Sequence, residues 1–131
     1  MKLSFDAPYV DCSNAIDWEI QQVTFDTVSD DDQDSETDRR TPYVLISSAF
    51  EVSRDPTIEW HDGNDYDGGA SIRVALLERN KILITLDKSR EIGITFNLTE
   101  KKFTELSKYL RNMLGQRLKT IQTNIRTASS S

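Results

Sequence analysis

The sequence predicts an α+β fold: a mainly antiparallel sheet of about five to seven strands, with one C-terminal amphipathic helix packed on one face. Three observations in residues 71–114 carry that prediction. Ile72, Val74 and Leu76 share one parity, as do Ile82, Ile84 and Leu86, and then Ile92, Ile94 and Phe96, which is the alternation of half-buried strands. The links Arg79-Asn80-Lys81 and Lys88-Ser89-Arg90-Glu91 are short enough for antiparallel neighbours. The period then changes: Phe103, Leu106, Leu110, Met113 and Leu114 fall on one side of a 3.6-residue helix. These strands therefore give the helix a sheet to cover.

Earlier elements are read in turn. Leu3 and Phe5 alternate with polar neighbours and make a short edge strand, closed by Pro8 and the turn-forming cluster Asp11-Cys12-Ser13-Asn14. In residues 15–26, Ile16, Trp18 and Ile20 take one parity and Val23 and Phe25 the other, so a β-bulge at Gln21-Gln22 is expected. A helix behind a Ser13 cap competes, since Ile16, Ile20 and Val23 also share a helical face, but Trp18 and Thr24-Phe25 favour a strand. Val44, Ile46, Phe50 and Val52 share a face interrupted by Ser48 and predict a long strand near the sheet centre. Pro56 then breaks the ladder, and Ile58 and Trp60 point inward from another short strand. Leu77 and Leu83 are expected on the outer face, and Gly93 invites a close contact. Asn97 with Glu100, or Thr99, caps the helix. Leu118 and Ile121 continue its apolar series past Gly115, where a kink is expected.

Size and charge bound the rest. At 131 residues, with 37% hydrophobic and 29% charged content, one domain over residues 1–125 is expected, followed by a disordered tail at 126–131. Residues 27–41 read as an acidic mobile loop inside it, because positions 30–38 hold six carboxylates and no apolar side chain. Net charge is -6, which disfavours a nucleic-acid partner, whose phosphates demand Lys and Arg. The charge is unevenly spread. Residues 99–131 carry seven basic and two acidic groups, a net of +5, which leaves residues 1–98 with 9 basic against 20 acidic, or -11. Basic protein partners are favoured. Lone Cys12 forms no internal disulfide and has no metal-ligand spacing around it, which fits a reducing cytoplasm. The N-terminal residues lack a signal-peptide pattern and no run is apolar enough for a membrane span.

The stretch from His61 to Ala70 is the best candidate for a functional loop. Asp62, Asp65 and Asp67 cluster there with His61, Tyr66 and the glycines Gly63, Gly68 and Gly69. A calcium loop fails, because from Asp62 the fifth and sixth positions are Tyr66 and Asp67, where the pattern requires an acid and then a glycine. A phosphate loop fails too, for want of GxGxxG or GxxxxGK spacing. His61 with Asp62 or Asp65 satisfies the residue types of a general base and its orienting acid. Yet the chain has one histidine, no nucleophile elbow and no second acid–base cluster. No catalytic residue, metal or cofactor is therefore expected. The remaining readings are an exposed acidic turn and a partner-binding rim made of Asp62, Asp65, Tyr66 and Asp67.

In order along the chain, the segments WEIQQVTFD, YVLISS, YDGGASI, VALLERNKILITLD and IGITFNLTEKKFTELSKYLRNML resemble the immunity protein ten family of bacterial polymorphic toxin systems. The match spans about residues 15–114 and is most specific at Tyr66-Asp67-Gly68-Gly69 and at Phe96-Asn97-Leu98-Thr99 leading into the helix. The resemblance implies a small cytoplasmic inhibitor that binds a cognate toxin domain, with no catalytic residues of its own. The acidic segment at 30–38, the extension beyond Gly115 and the short turn at 88–91 depart from the family pattern. An acidic adaptor module unrelated to toxins is the alternative.

Overall fold

The computed structural model describes residues 2–15, 20–27, 41–49, 53–63 and 66–120. The fold is α+β, its strands mostly antiparallel, with one helix near the C-terminal end of the described chain. The strands divide into two five-stranded sheets. One contains β2 (Tyr9–Ala15), β3 (Ile20–Asp26), β4 (Tyr43–Ala49), β5 (Ser53–His61) and β6 (Tyr66–Ser71) as an antiparallel meander in chain order. The other is built on the hairpins β7 (Val74–Glu78), β8 (Lys81–Thr85) and β9 (Glu91–Thr95). Its two edges are parallel additions: β1 (Lys2–Asp6) beside β9 and β10 (Leu118–Thr120) beside β7.

The chain changes sheet twice over very short links. After β1, Ala7 is fully buried and its N–H donates to Thr95 O at 2.8 Å, so β2 leaves the first sheet at once. After β6, Ile72 turns into the core and Arg73 N donates to Thr85 O at 2.9 Å. The inward faces meet in one core. Val23, Phe25, Val44, Ile46, Ile58 and Trp60 enter it from the meander, and Ala75, Leu77, Ile82, Ile84, Ile92 and Ile94 from the other sheet.

Several sequence expectations change in register. The Asp11-Cys12-Ser13-Asn14 cluster is not a turn: it lies within β2, paired residue for residue with β3. The ladder through Gln21-Gln22 is regular on both sides. Gln21 therefore points inward with Val23 and Phe25, and the expected bulge is absent. Irregular pairing occurs instead between β4 and β5, where Ala49 faces Ser53 although Ser47 faces Thr57. Buried Pro56 sits in that break, inside β5 and not ahead of it, as is usual for a residue that cannot donate to the ladder. In β7 the parity slips after Ile72, so Ala75 and Leu77 are buried while Val74 and Leu76 are half-buried. Leu77, expected outside, is 1% exposed; Leu83 does face outward, opposite Gly93. A Cβ on Gly93 would meet Ser4 Oγ at 3.5 Å and Leu83 Cδ1 at 3.8 Å, ordinary contact distances, so no close approach requires glycine there. Val44 and Ile46 are buried and β4 is central, as expected. Ile16, Trp18, Phe50, Val52, most of the 27–41 loop and the 126–131 tail lie outside the described residues.

Helix α1 (Glu100–Leu114) starts on Thr99, whose Oγ1 accepts from Lys102 N at 3.1 Å. It buries Leu106, Tyr109, Leu110, Met113 and Leu114, with Phe103 half-buried. Arg79, in the β7–β8 turn, ties down its first turn. The guanidinium donates to Leu98 O at 2.8 Å and lies 4.8 Å from the Phe103 ring centroid. The helix does not continue past Gly115. That residue takes φ 56°, its N–H returns to Arg111 O, and a 3-10 turn at Gly115–Arg117 leads into β10. The helix lies against β2, β3, β5 and β10, so it covers mainly the meander, not the three strands that precede it in sequence.

Phe25 is fully buried, and Phe25→Ala is expected to lower unfolding free energy by about 3–5 kcal/mol in urea titration.

Candidate functional site

The loop singled out by the sequence is the connection of the β5–β6 hairpin. His61 pairs with Tyr66 and Trp60 with Asp67, after which the register slips by one residue before Ile58 meets Ala70. Gly68-Gly69 falls in that slip, on the edge strand of the meander, where an extra residue is most easily housed. Gly63 adopts φ 101° in the turn, a conformation that disfavours side chains with a Cβ.

Both described carboxylates of the loop are exposed, Asp62 in the turn and Asp67 at the start of β6. Asp67 Oδ1 accepts from Gly68 N at 2.8 Å. Asp65 lies outside the described residues, and of Tyr66 only the backbone is described. The structure thus brings Asp62 and Asp67 to one hairpin end, beside the buried Trp60.

His61 is engaged in holding this turn. Its Nδ1 accepts from Gly63 N at 3.0 Å, and its ring stacks on Tyr43 with centroids 5.9 Å apart. Among the described residues no group of three or more His, Cys, Asp or Glu is placed to hold a metal ion, and no helix is long and apolar enough to cross a membrane.

Cys12 lies in β2 under α1. Burial, and then the nearby Glu105 carboxylate, push its thiol up to about 12 from an ordinary 9.0, so the nucleophilic thiolate is suppressed at neutral pH. In contrast, Asp87 in the β8–β9 turn is held below the usual carboxylate range. Ser89 N donates to it at 3.0 Å, and Arg90 donates through its side chain Nε at 2.9 Å.

A second locality, barely legible in the sequence, forms where α1 crosses the meander. Gln21 and Tyr109 floor a groove there of about 330 Å³, walled by Lys101, Glu105 and Lys108. Its elements are far apart in sequence. The one advance signal is Ser48, which interrupts an otherwise apolar face and pairs with Gln21. No family model, curated protein or solved structure matches this chain.

Native Cys12 should react with a thiol reagent at pH 8 far more slowly than Cys12 in the urea-unfolded chain. Because folding raises this pKa, the associated stability is complete below pH 9 and is lost as pH rises towards about 12. Urea midpoints across that alkaline window should fall for the native sequence and fall less for Cys12→Ala.

Proposed function

We propose that this protein is an immunity protein: it binds a cognate bacterial toxin domain in the cytoplasm and neutralises it by occluding the active or substrate-binding surface. The observation that carries this reading is the exposed acidic hairpin end, Asp62 and Asp67 with Asp65 between them in sequence, on a body whose first 98 residues sum to -11. The resemblance of the ordered segments to the immunity protein ten family supports the same reading.

Charge of this sign and concentration suits a partner with a basic cleft, such as an enzyme that grips phosphate. Carboxylates compete there for the Lys and Arg groups meant for substrate, and the summed field of the acidic body speeds encounter. A hairpin end is well suited to the task. Its first strand, β5, is anchored by Ile58 and Trp60 in the core and carries β6 by pairing, while the turn projects carboxylates without exposing the sheet interior. In this reading His61 serves the loop's shape and no bond is made or broken by the protein.

An adaptor of unrelated purpose is the second reading, favoured by a shallow depression of about 350 Å³ on the outer face of the other sheet, where Leu83 stands over Gly93 beside Ser4. The two readings separate on the hairpin. Replacing Asp62, Asp65 and Asp67 together by Lys should weaken binding of the cognate toxin at least tenfold and abolish protection. Affinity of the native protein should also fall as salt rises to about 0.5 M. Unchanged affinity and protection in the triple variant refute the assignment of this loop.

A further inference from the structure

A row of aromatic side chains crosses the outer face of the meander and runs into the acidic hairpin. Register sets Tyr9 of β2 opposite Asp26 of β3, Asp26 opposite Tyr43 of β4, and Tyr43 opposite His61 of β5. Opposed residues of paired strands project to one side. Their chain neighbours Val10, Phe25, Val44 and Trp60 are buried in the core, so this row points outward. Tyr9 is 39% exposed, the one large hydrophobic side chain so exposed among the described residues. Tyr43 and His61, both half-buried, stack with ring centroids 5.9 Å apart. The next outward row is Asp11, Thr24, Leu45 and Glu59. Helix α1 meets the meander from the opposite side, where Asn14 donates to the Tyr109 hydroxyl.

Charge distinguishes this face from the outer face of the second sheet. There Lys2, Lys81 and Lys119 stand in outward register among Asp6, Glu78 and Glu91, and Lys2 pairs with Glu91 at 3.6 Å. The two meander rows hold the carboxylates Asp11, Asp26 and Glu59 and neither lysine nor arginine. From α1, Lys102 stands 3.9 Å from Asp11 and is held closer, at 3.2 Å, by Glu105. Asp26 is buried and accepts from Thr27 N at 2.8 Å, so it adds to the field and leaves direct contact to Asp11 and Glu59. Tyrosine rings flanked by carboxylates suit a guanidinium, which stacks flat on a ring while its N–H groups reach an acid. An ammonium group matches the charge but not the stacking.

We propose that this face is a docking surface for a protein that presents arginine side chains, stacked on Tyr9 and Tyr43 and paired with Asp11 and Glu59. Tyrosine and arginine are among the side chains that most often dominate binding energy at protein interfaces. The face ends at the His61 hairpin, so it enlarges the contact assigned to the toxin domain. It rests on the immunity reading for the identity of the partner and not for the chemistry of the contact.

The test is a ¹⁵N NMR titration of the full chain with the blocked peptide acetyl-Gly-Arg-Gly-Arg-Gly-Arg-amide and with its lysine counterpart. The arginine peptide should give saturable shifts centred on Tyr9, Thr24, Tyr43 and Leu45, with affinity about threefold or more above that of the lysine peptide. Tyr9→Ala/Tyr43→Leu, which removes both rings and no charge, should weaken the arginine peptide about fivefold and the lysine peptide less. The single variant Tyr9→Ala, at an exposed position, should act in the same direction and guards against a folding defect in the double variant. No saturable shifts up to about 5 mM, or shifts confined to residues 30–38 or 62–67, would overturn the proposal. So would equal binding of the two peptides, or arginine-peptide binding unchanged by loss of the rings. A chain that neutralises a toxin but binds no peptide overturns this face alone; one that binds the peptide but neutralises no toxin overturns the immunity reading alone.

Discussion

Phe25 and Phe96 stack with ring centroids 6.1 Å apart, one from the middle of the antiparallel meander and the other from the end of β9. Their contact marks the constraint on which the rest depends: neither sheet, alone, has anything to put against its apolar face. The meander supplies Val23, Val44, Ile46 and Ile58, the second sheet Ile82, Ile84, Ile92 and Ile94, and the helix Leu106 and Leu110, all fully buried in one cluster. Burial of this kind is the main favourable term in folding. The tight links at Ala7 and at Ile72-Arg73 follow from it, since a strand must leave one sheet and join the other without opening the core between them. Closure also uses both parallel edge strands. β10 reaches β7 only because Gly115 stops the helix with a positive φ and turns the chain back.

Much of this was legible in the sequence, and what was not has physical causes. Ile82, Ile84, Leu86, Ile92, Ile94 and Phe96 alternate without interruption, and the core takes all six. Thr99 and the apolar stripe of α1 were equally plain, because capping and helical period are local properties. Division into two sheets was not, because alternation marks which residues turn inward but not which strands pair. The Asp11–Asn14 cluster reads as a turn by composition, yet pairing with β3 overrides that local preference. Gly115 looked like a weak point inside a longer helix because Leu118 and Ile121 keep the period. Its role as a terminator depends on β10 finding β7, a contact no local pattern contains.

The candidate sites divide in the same way. Asp62 and Asp67 cluster in sequence and remain together at one hairpin end, so that rim was visible from composition and glycine spacing. The row from Asn14 through Gln21 to Ser48 spans three strands and becomes a row only through register. Read singly, Gln21 looked like a bulge and Ser48 like a gap in an apolar face. Paired, they form a polar seam under α1. The acidic hairpin and the lysine-bearing helix follow the charge split between residues 1–98 and 99–131.

The central claim, that the protein neutralises a toxin, is tested most directly by a growth experiment in a host lacking both genes. The reading frame immediately upstream of this one in its native genome is expressed alone and together with this chain. The account predicts arrest of growth in the first case and normal growth in the second. Growth unaffected by the upstream product, or arrest that this chain does not relieve, would contradict it.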